Sequence, residues 1–143
     1  MFVGEFNHTV DDKGRVTIPA RFRPDLATGA IITRGMDGCL ALYPNDAWDI
    51  LAEKVNALPV TDRRARDFRR FMFGSASEVV PDRQGRILIP AYLRQYAHVD
   101  DGEVTVVGNY SYIEIWSPET WQDQRQGVEN DEGNAEHWAV LGI

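Results

Sequence analysis

Arg15 and Arg86 each stand four residues after an aspartate, Asp11 and Asp82, and directly after a glycine, Gly14 and Gly85. Such an Asp-x-x-Gly-Arg spacing reads as a tight turn that brings a carboxylate and a guanidinium together. A guanidinium is a planar fork able to donate two hydrogen bonds at once to a guanine edge or a phosphate. The carboxylate can hold that fork, or cap the turn through its own backbone. The same pair could instead be an ion pair that only braces a hairpin. A lone Asp-x-x-x-Arg does not choose between these chemistries.

The motif is not alone. Asp11-Asp12-Lys13-Gly14-Arg15-Val16-Thr17-Ile18-Pro19-Ala20-Arg21-Phe22-Arg23 lies over Asp82-Arg83-Gln84-Gly85-Arg86-Ile87-Leu88-Ile89-Pro90-Ala91-Tyr92-Leu93-Arg94 at an offset of 71, with seven of thirteen positions identical. Chance would leave about one identity at ordinary residue frequencies. The match resumes at an offset of 73, where Gly35 meets Gly108, Leu42 meets Ile115, Tyr43 meets Trp116 and Trp48 meets Trp121. A two-residue insertion within 95–103 accounts for the change. The chain is two versions of one unit.

Each unit predicts its own scaffold. A strand over 2–10 ends in Asp-Asp-Lys-Gly, and a second strand returns over 15–18 with Val16 and Ile18 inward, Arg15 and Thr17 outward. Gly14 supplies the positive φ that the hairpin needs. Pro19 closes the strand and opens a short helix over 20–26. Strands over 30–34 and 39–43 follow, joined by Gly-Met-Asp-Gly. The second unit repeats the pattern with strands over 77–81, 86–89, 103–107 and 112–116 and a short helix after Pro90. Asn45 or Asp46 is expected to cap a helix carrying Trp48, Leu51, Val55 and Leu58 on one face. Thr61-Asp62 opens a helix over 63–73 that Gly74 stops, and Ser117-Pro118 opens another. Residues 127–136 are polar and acidic and predict no regular structure.

The 143 residues carry a net charge of −7, which by itself argues against a nucleic-acid partner. The charge is unevenly placed. Residues 95–143 hold one basic side chain, Arg125, against ten acidic ones, whereas residues 1–94 have a small positive excess of two. The first fifteen residues contain acids and no apolar run, as expected of a chain without a signal peptide. No stretch approaches the roughly 20 apolar residues of a membrane span. The single cysteine, Cys39, excludes an intrachain disulfide and a cysteine zinc cluster, and fits a reducing cytoplasm.

The run from Asp11 to Arg23 resembles the signature of the MraZ family, and the whole chain is similar to it in length and layout. That family falls in the SpoVT-AbrB superfamily, whose swapped-hairpin barrels usually form from two chains. The resemblance implies an α+β, β-rich fold of two pseudo-symmetric AbrB-like halves in one double-split β-barrel, with flanking helices. The corresponding division is 5–47 and 76–119 for the two halves, 48–75 for connecting helices and 120–143 for a C-terminal helix and acidic tail. It also implies a ring-shaped, octamer-like homo-oligomer that represses transcription from short direct repeats in double-stranded DNA. Those repeats lie upstream of the division and cell-wall gene cluster, which places the protein at the nucleoid. The family's DNA-contacting element falls on Asp11, Lys13, Gly14 and Arg15, and on Asp82, Gly85 and Arg86. Arg21, Arg23 and Arg94 are candidate phosphate contacts. The second turn departs from the first, with Arg83-Gln84 where the first has Asp12-Lys13, so the two tips need not act equally.

Other chemistry finds little support. His8, His98 and His137 lack metal-ligand spacing. Gly74-Ser75-Ala76-Ser77 is not a Gly-x-Ser-x-Gly elbow, and there is no Gly-rich phosphate loop. No enzyme, metal or cofactor is expected. The alternative is an oligomeric partner-binding module that uses the acidic tail or the five arginines of 63–70 rather than DNA. Trp48 and Trp121 fit a core or subunit interface, and Cys39 a buried, inert thiol.

Overall fold

The computed structural model describes residues 1–100 and 102–143; Asp101 lies outside them. Eight strands form one antiparallel sheet in the order β5-β3-β4-β8-β7-β1-β2-β6. In chain order they are β1 (Glu5–Val10), β2 (Arg15–Thr17), β3 (Ala30–Arg34), β4 (Leu40–Pro44), β5 (Ser77–Val79), β6 (Arg86–Leu88), β7 (Gly102–Gly108) and β8 (Ile113–Trp116). The sheet curls into a nearly closed barrel, because the turn after β5 also links the two ends of the list: Asp82 N–H donates to Arg86 O at 2.9 Å. Among the described residues, five α-helices flank it: α1 (Asn45–Asn56), α2 (Arg63–Phe73), α3 (Ala91–Ala97), α4 (Pro118–Glu129) and α5 (Asn134–Ala139). Among the described residues, no helix is long and apolar enough to cross a membrane.

The two halves exchange strands. β1 pairs along its whole length with β7 of the second half, and β5 pairs with β3 of the first. Neither hairpin rests on the sheet of its own repeat. Two pairings cross the pseudo-twofold axis: Val16 faces Ile87 between β2 and β6, and Ala41 faces Glu114 between β4 and β8. The register Arg15↔Leu88, Thr17↔Arg86 is its own image under the 71-residue repeat. One apolar core results. Val16, Ile18, Phe22, Leu26, Ile32 and Leu42 from the first half pack with Ile87, Ile89, Leu93, Val104, Val106 and Ile115 from the second in a single cluster. Neither half could bury its inward-facing residues alone, so the duplication is folded as one body.

Several local expectations need revision. The helix expected over 20–26 is two 3-10 turns, Ala20–Phe22 and Pro24–Leu26, because Pro24 has no N–H to continue the first. Neither Asn45 nor Asp46 caps α1. The cap position is Pro44, since β4 runs up to it, and the Asn45 amide instead donates to Thr28 O. α1 ends at Asn56, leaving Leu58 in the exposed connection to α2. The acidic stretch 127–136 is ordered. It forms the last turn of α4 and the start of α5, tied by Asn134 Nδ2 to Val128 O and by Gly133 N–H to Asp131 Oδ1. Other signals hold: Asp62 Oδ1 caps α2 through Arg64 N–H, Gly74 ends it, and Ser117 caps α4 with Pro118 at its first position.

Candidate nucleic-acid interface

Both Asp–Arg pairs close, and they close alike. Asp11 Oδ1 accepts from the backbone N–H of Lys13 at 3.0 Å and of Arg15 at 2.8 Å, while Oδ2 takes Arg15 Nε at 2.7 Å. Asp82 repeats this with Gln84 N–H, Arg86 N–H and Arg86 Nε, each at 2.9 Å. Each carboxylate therefore caps its turn and clamps its arginine at once. The clamp takes Nε and leaves both terminal Nη nitrogens without a hydrogen-bond partner among the described residues. Those two nitrogens are the ones that can reach guanine O6 and N7 together. The side chains of Arg15 and Arg86 are 29% and 28% exposed, so neither guanidinium is sealed in the barrel.

The two arginines share one surface. Directly opposed residues of an antiparallel pair project from the same face, so the register places Arg15, Leu88, Thr17 and Arg86 together on the outside of β2 and β6. Val16 and Ile87 take the inner face and are buried. Diagonal neighbours in such a pair lie roughly 7–8 Å apart. Two separate fingertips, as a hairpin-by-hairpin reading suggests, are in fact one cationic strip built by both halves. Leu88 stands opposite Arg15 and is 57% exposed. Alternation along 86–89 turns it outward, so its place on this face is readable from the sequence.

The glycines and the second arginines play a different part. Gly14 (φ 82°) and Gly85 (φ 75°) are buried at the turns, in the left-handed region that L side chains avoid. Arg94 lies against Gly14, and Arg23 against Gly85, each reaching across from the other half. Arg23 Nε donates to Ile18 O at 2.9 Å and Arg94 Nη1 donates to Ile89 O. Ile18 N–H in turn donates to Gly85 O and Ile89 N–H to Gly14 O. Arg23 and Arg94 thus brace the crossing of the two halves at the carbonyls next to its backbone hydrogen bonds. Arg21 and Lys13 remain at the exposed surface, Arg21 with its guanidinium over the Phe6 ring.

Hydrogen bonds to the carboxylates set the acid limit of this arrangement. The backbone N–H of Arg15, opposed by desolvation and helped by the Arg15 side chain and Lys13 N–H, holds the Asp11 pKa below its ordinary value of 3.8. Asp82 is lowered by the same contacts from Arg86 and Gln84. A carboxylate with a depressed folded pKa adds stability that is fully present above its unfolded pKa and is lost as pH falls through the folded one. The turns should therefore be indifferent to pH from neutrality down to about 5, and weaken below about 4. Acid unfolding followed by circular dichroism should show a transition that is blunted in an Asp11→Asn, Asp82→Asn double variant. An unchanged acid transition would mean the clamps carry no folding energy.

A family model described as "MraZ protein, putative antitoxin-like" matches the chain twice, over residues 1–71 and 72–140. The chain belongs to the MraZ family. Curated relatives agree over most or all of their length. The protein named "Transcriptional regulator MraZ" from Thermomicrobium roseum is 54% identical over 126 residues, covering 88% of each chain. The one of the same name from Herpetosiphon aurantiacus is 49% identical over 144 residues and covers both chains completely. The MraZ model meets the chain once per repeat, with its boundary in the last turn of α2, so each match carries one Asp-clamped arginine.

Proposed function

We propose that this MraZ chain is a sequence-specific DNA-binding regulator of transcription whose β2–β6 strip enters the major groove and reads bases with Arg15 and Arg86. One observation carries the reading: two guanidinium groups are held by carboxylates through Nε on one outward face of the β2–β6 pair, with their Nη pairs unused. A two-stranded β-ribbon is one of the two elements that fit that groove. The name of the relatives, transcriptional regulator, supports the same conclusion. The exposed Leu88, opposite Arg15, suits a thymine methyl. Lys13, Arg21 and Arg83 are exposed and suited to phosphates.

The net charge of −7 works against binding by a single copy. A ring-shaped homo-oligomer answers it, since several strips on one assembly add their contacts through effective concentration. Such a ring, octamer-like, fits short direct repeats in the DNA upstream of the division and cell-wall gene cluster, where occupancy would repress transcription. Fluorescence anisotropy with that upstream duplex tests the reading. Binding should be tighter than to a shuffled duplex, and log K should fall linearly with log salt by about 0.9 per phosphate neutralised. Equal affinity for the shuffled duplex would falsify specific readout.

A further inference from the structure

The outward strip has a twofold backbone but not a twofold chemistry. Pairing places Arg15 opposite Leu88 at one end and Arg86 opposite Thr17 at the other. Each end is closed by the turn of one half: Gly14 O accepts from Ile89 N–H, and Gly85 O from Ile18 N–H. Lys13 therefore stands at the Arg15 end and Gln84 at the Arg86 end, in equivalent turn positions, each with its backbone N–H on the clamping aspartate. Ile18, at the level of Gly85, follows Gly14 by four residues. At a strand rise of about 3.3 Å this is roughly 13 Å, or about four base-pair steps. The two ends face different base pairs. Their tips also differ in kind: the first presents Asp12 and Lys13, the second Arg83 and Gln84, all four exposed. Among the described residues the Gln84 side-chain amide makes no hydrogen bond.

We propose that Gln84 is a base-reading residue, selecting adenine beside the base pair that Arg86 contacts, and that the strip therefore sits on each repeat in one orientation only. A free amide offers a donor and an acceptor in one plane, which an adenine edge answers through N7 and N6–H. A phosphate oxygen answers only the donor. Lys13, in the equivalent place, is a point charge that a phosphate answers fully. One turn position thus supplies charge at one end of the strip and base readout at the other. The neighbouring residues sharpen the difference. Arg83 holds a phosphate, whereas Asp12 at the matching position repels one, so the second tip is the end drawn onto the DNA backbone. Leu88 offers only an apolar contact, and Thr17 a hydroxyl as well. A twofold reader matches a palindrome; here the two ends are chemically distinct, so the two orientations on a duplex are different complexes. The inference rests on the DNA reading above and extends it to the side chain that tells one end of the strip from the other.

Anisotropy on the full chain, with each base pair of one repeat in the upstream duplex changed in turn, tests the base contact. Gln84→Ala should keep its circular dichroism and lose about 5- to 100-fold of discrimination at a single A·T pair. That pair should adjoin the one that Arg86→Ala ceases to distinguish. Gln84→Lys should exchange the preference there for G·C, because lysine donates to guanine O6 and N7. Orientation is read by an iron chelate tethered at Asp12→Cys, since Cys39 is buried and stays unlabelled. On a duplex with one repeat, strand cleavage should fall on one flank only. Uniform weakening in Gln84→Ala, no change, or a loss at a G·C pair overturns the base contact, and Arg86→Ala still losing its own pair would then leave the DNA reading standing. Equal cleavage on both flanks overturns the single orientation. Wild-type affinity in an Arg15→Ala, Arg86→Ala double variant would end the DNA reading itself, and this proposal with it.

Discussion

Arg15→Ala is expected to weaken binding to the upstream duplex roughly 10- to 100-fold while leaving the fold intact. A bidentate arginine–guanine contact is worth about 1–3 kcal/mol of discrimination, and each 1.4 kcal/mol is tenfold. Arg86→Ala should lose a similar amount. Its strip neighbour is Thr17 where Arg15 faces Leu88, so the two losses should fall on different base pairs. The double variant should retain only weak, salt-sensitive binding with no preference over a shuffled duplex. Arg15→Lys should resemble alanine more than wild type in specificity, because an ammonium supplies charge but no planar fork for Asp11 to aim. Asp11→Ala should sit between: the fork remains but its angle is free. The measurement is an anisotropy panel in which each base pair of the repeat is changed in turn. Loss of specificity at one position per arginine supports direct readout. Uniform weakening at every position would make both arginines phosphate contacts, and unchanged affinity in both would remove the strip from the interface.

Much of this site is legible in the sequence because its parts are local. The Asp–Arg clamp spans four residues, so turn chemistry alone brings its partners together. Alternation alone turns Arg15 outward and Val16 inward. α2 is legible for the same reason, with its cap at Asp62 and its stop at Gly74. What the chain hides is pairing. A period of two assigns faces to a strand but never names its neighbour. β1 finds β7 nearly a hundred residues away because only that exchange buries both inner faces in one core. The exchange then decides everything that spans the axis. It sets Arg15 and Arg86 on one strip, and it carries Arg23 and Arg94 across to the opposite turns. Spacing alone leaves both as candidate phosphate contacts near the hairpins, because the turn that each one packs against belongs to the other repeat.

Gly14→Ala and Gly85→Ala should be the most damaging small substitutions near the interface. Each glycine lies in the left-handed region, where a β-carbon costs about 1–2 kcal/mol. Here it would also meet the arginine packed against it, whose guanidinium must then shift away. Arg23 holds Ile18 O from its place against Gly85, and Arg94 holds Ile89 O from its place against Gly14. Moving either guanidinium leaves a carbonyl at the crossing without its charged donor, a further loss of about 1.5–3 kcal/mol. Together these amount to roughly 3–5 kcal/mol, or a fall in Tm on the order of 10 °C for a chain of this size. DNA binding should fall further than stability explains, because the shifted crossing tilts both arginines of the strip. A thermodynamic cycle separates the causes. If collision matters, Gly14→Ala with Arg94→Ala should lose less than the two single changes added, since the second change removes the obstacle for the first. Gly14→Asn, which tolerates the left-handed backbone but keeps the β-carbon, should recover the strain and not the collision. Strict additivity in the cycle, or full stability in Gly14→Asn, would show that Arg94 yields freely and that the crossing is not locked by it.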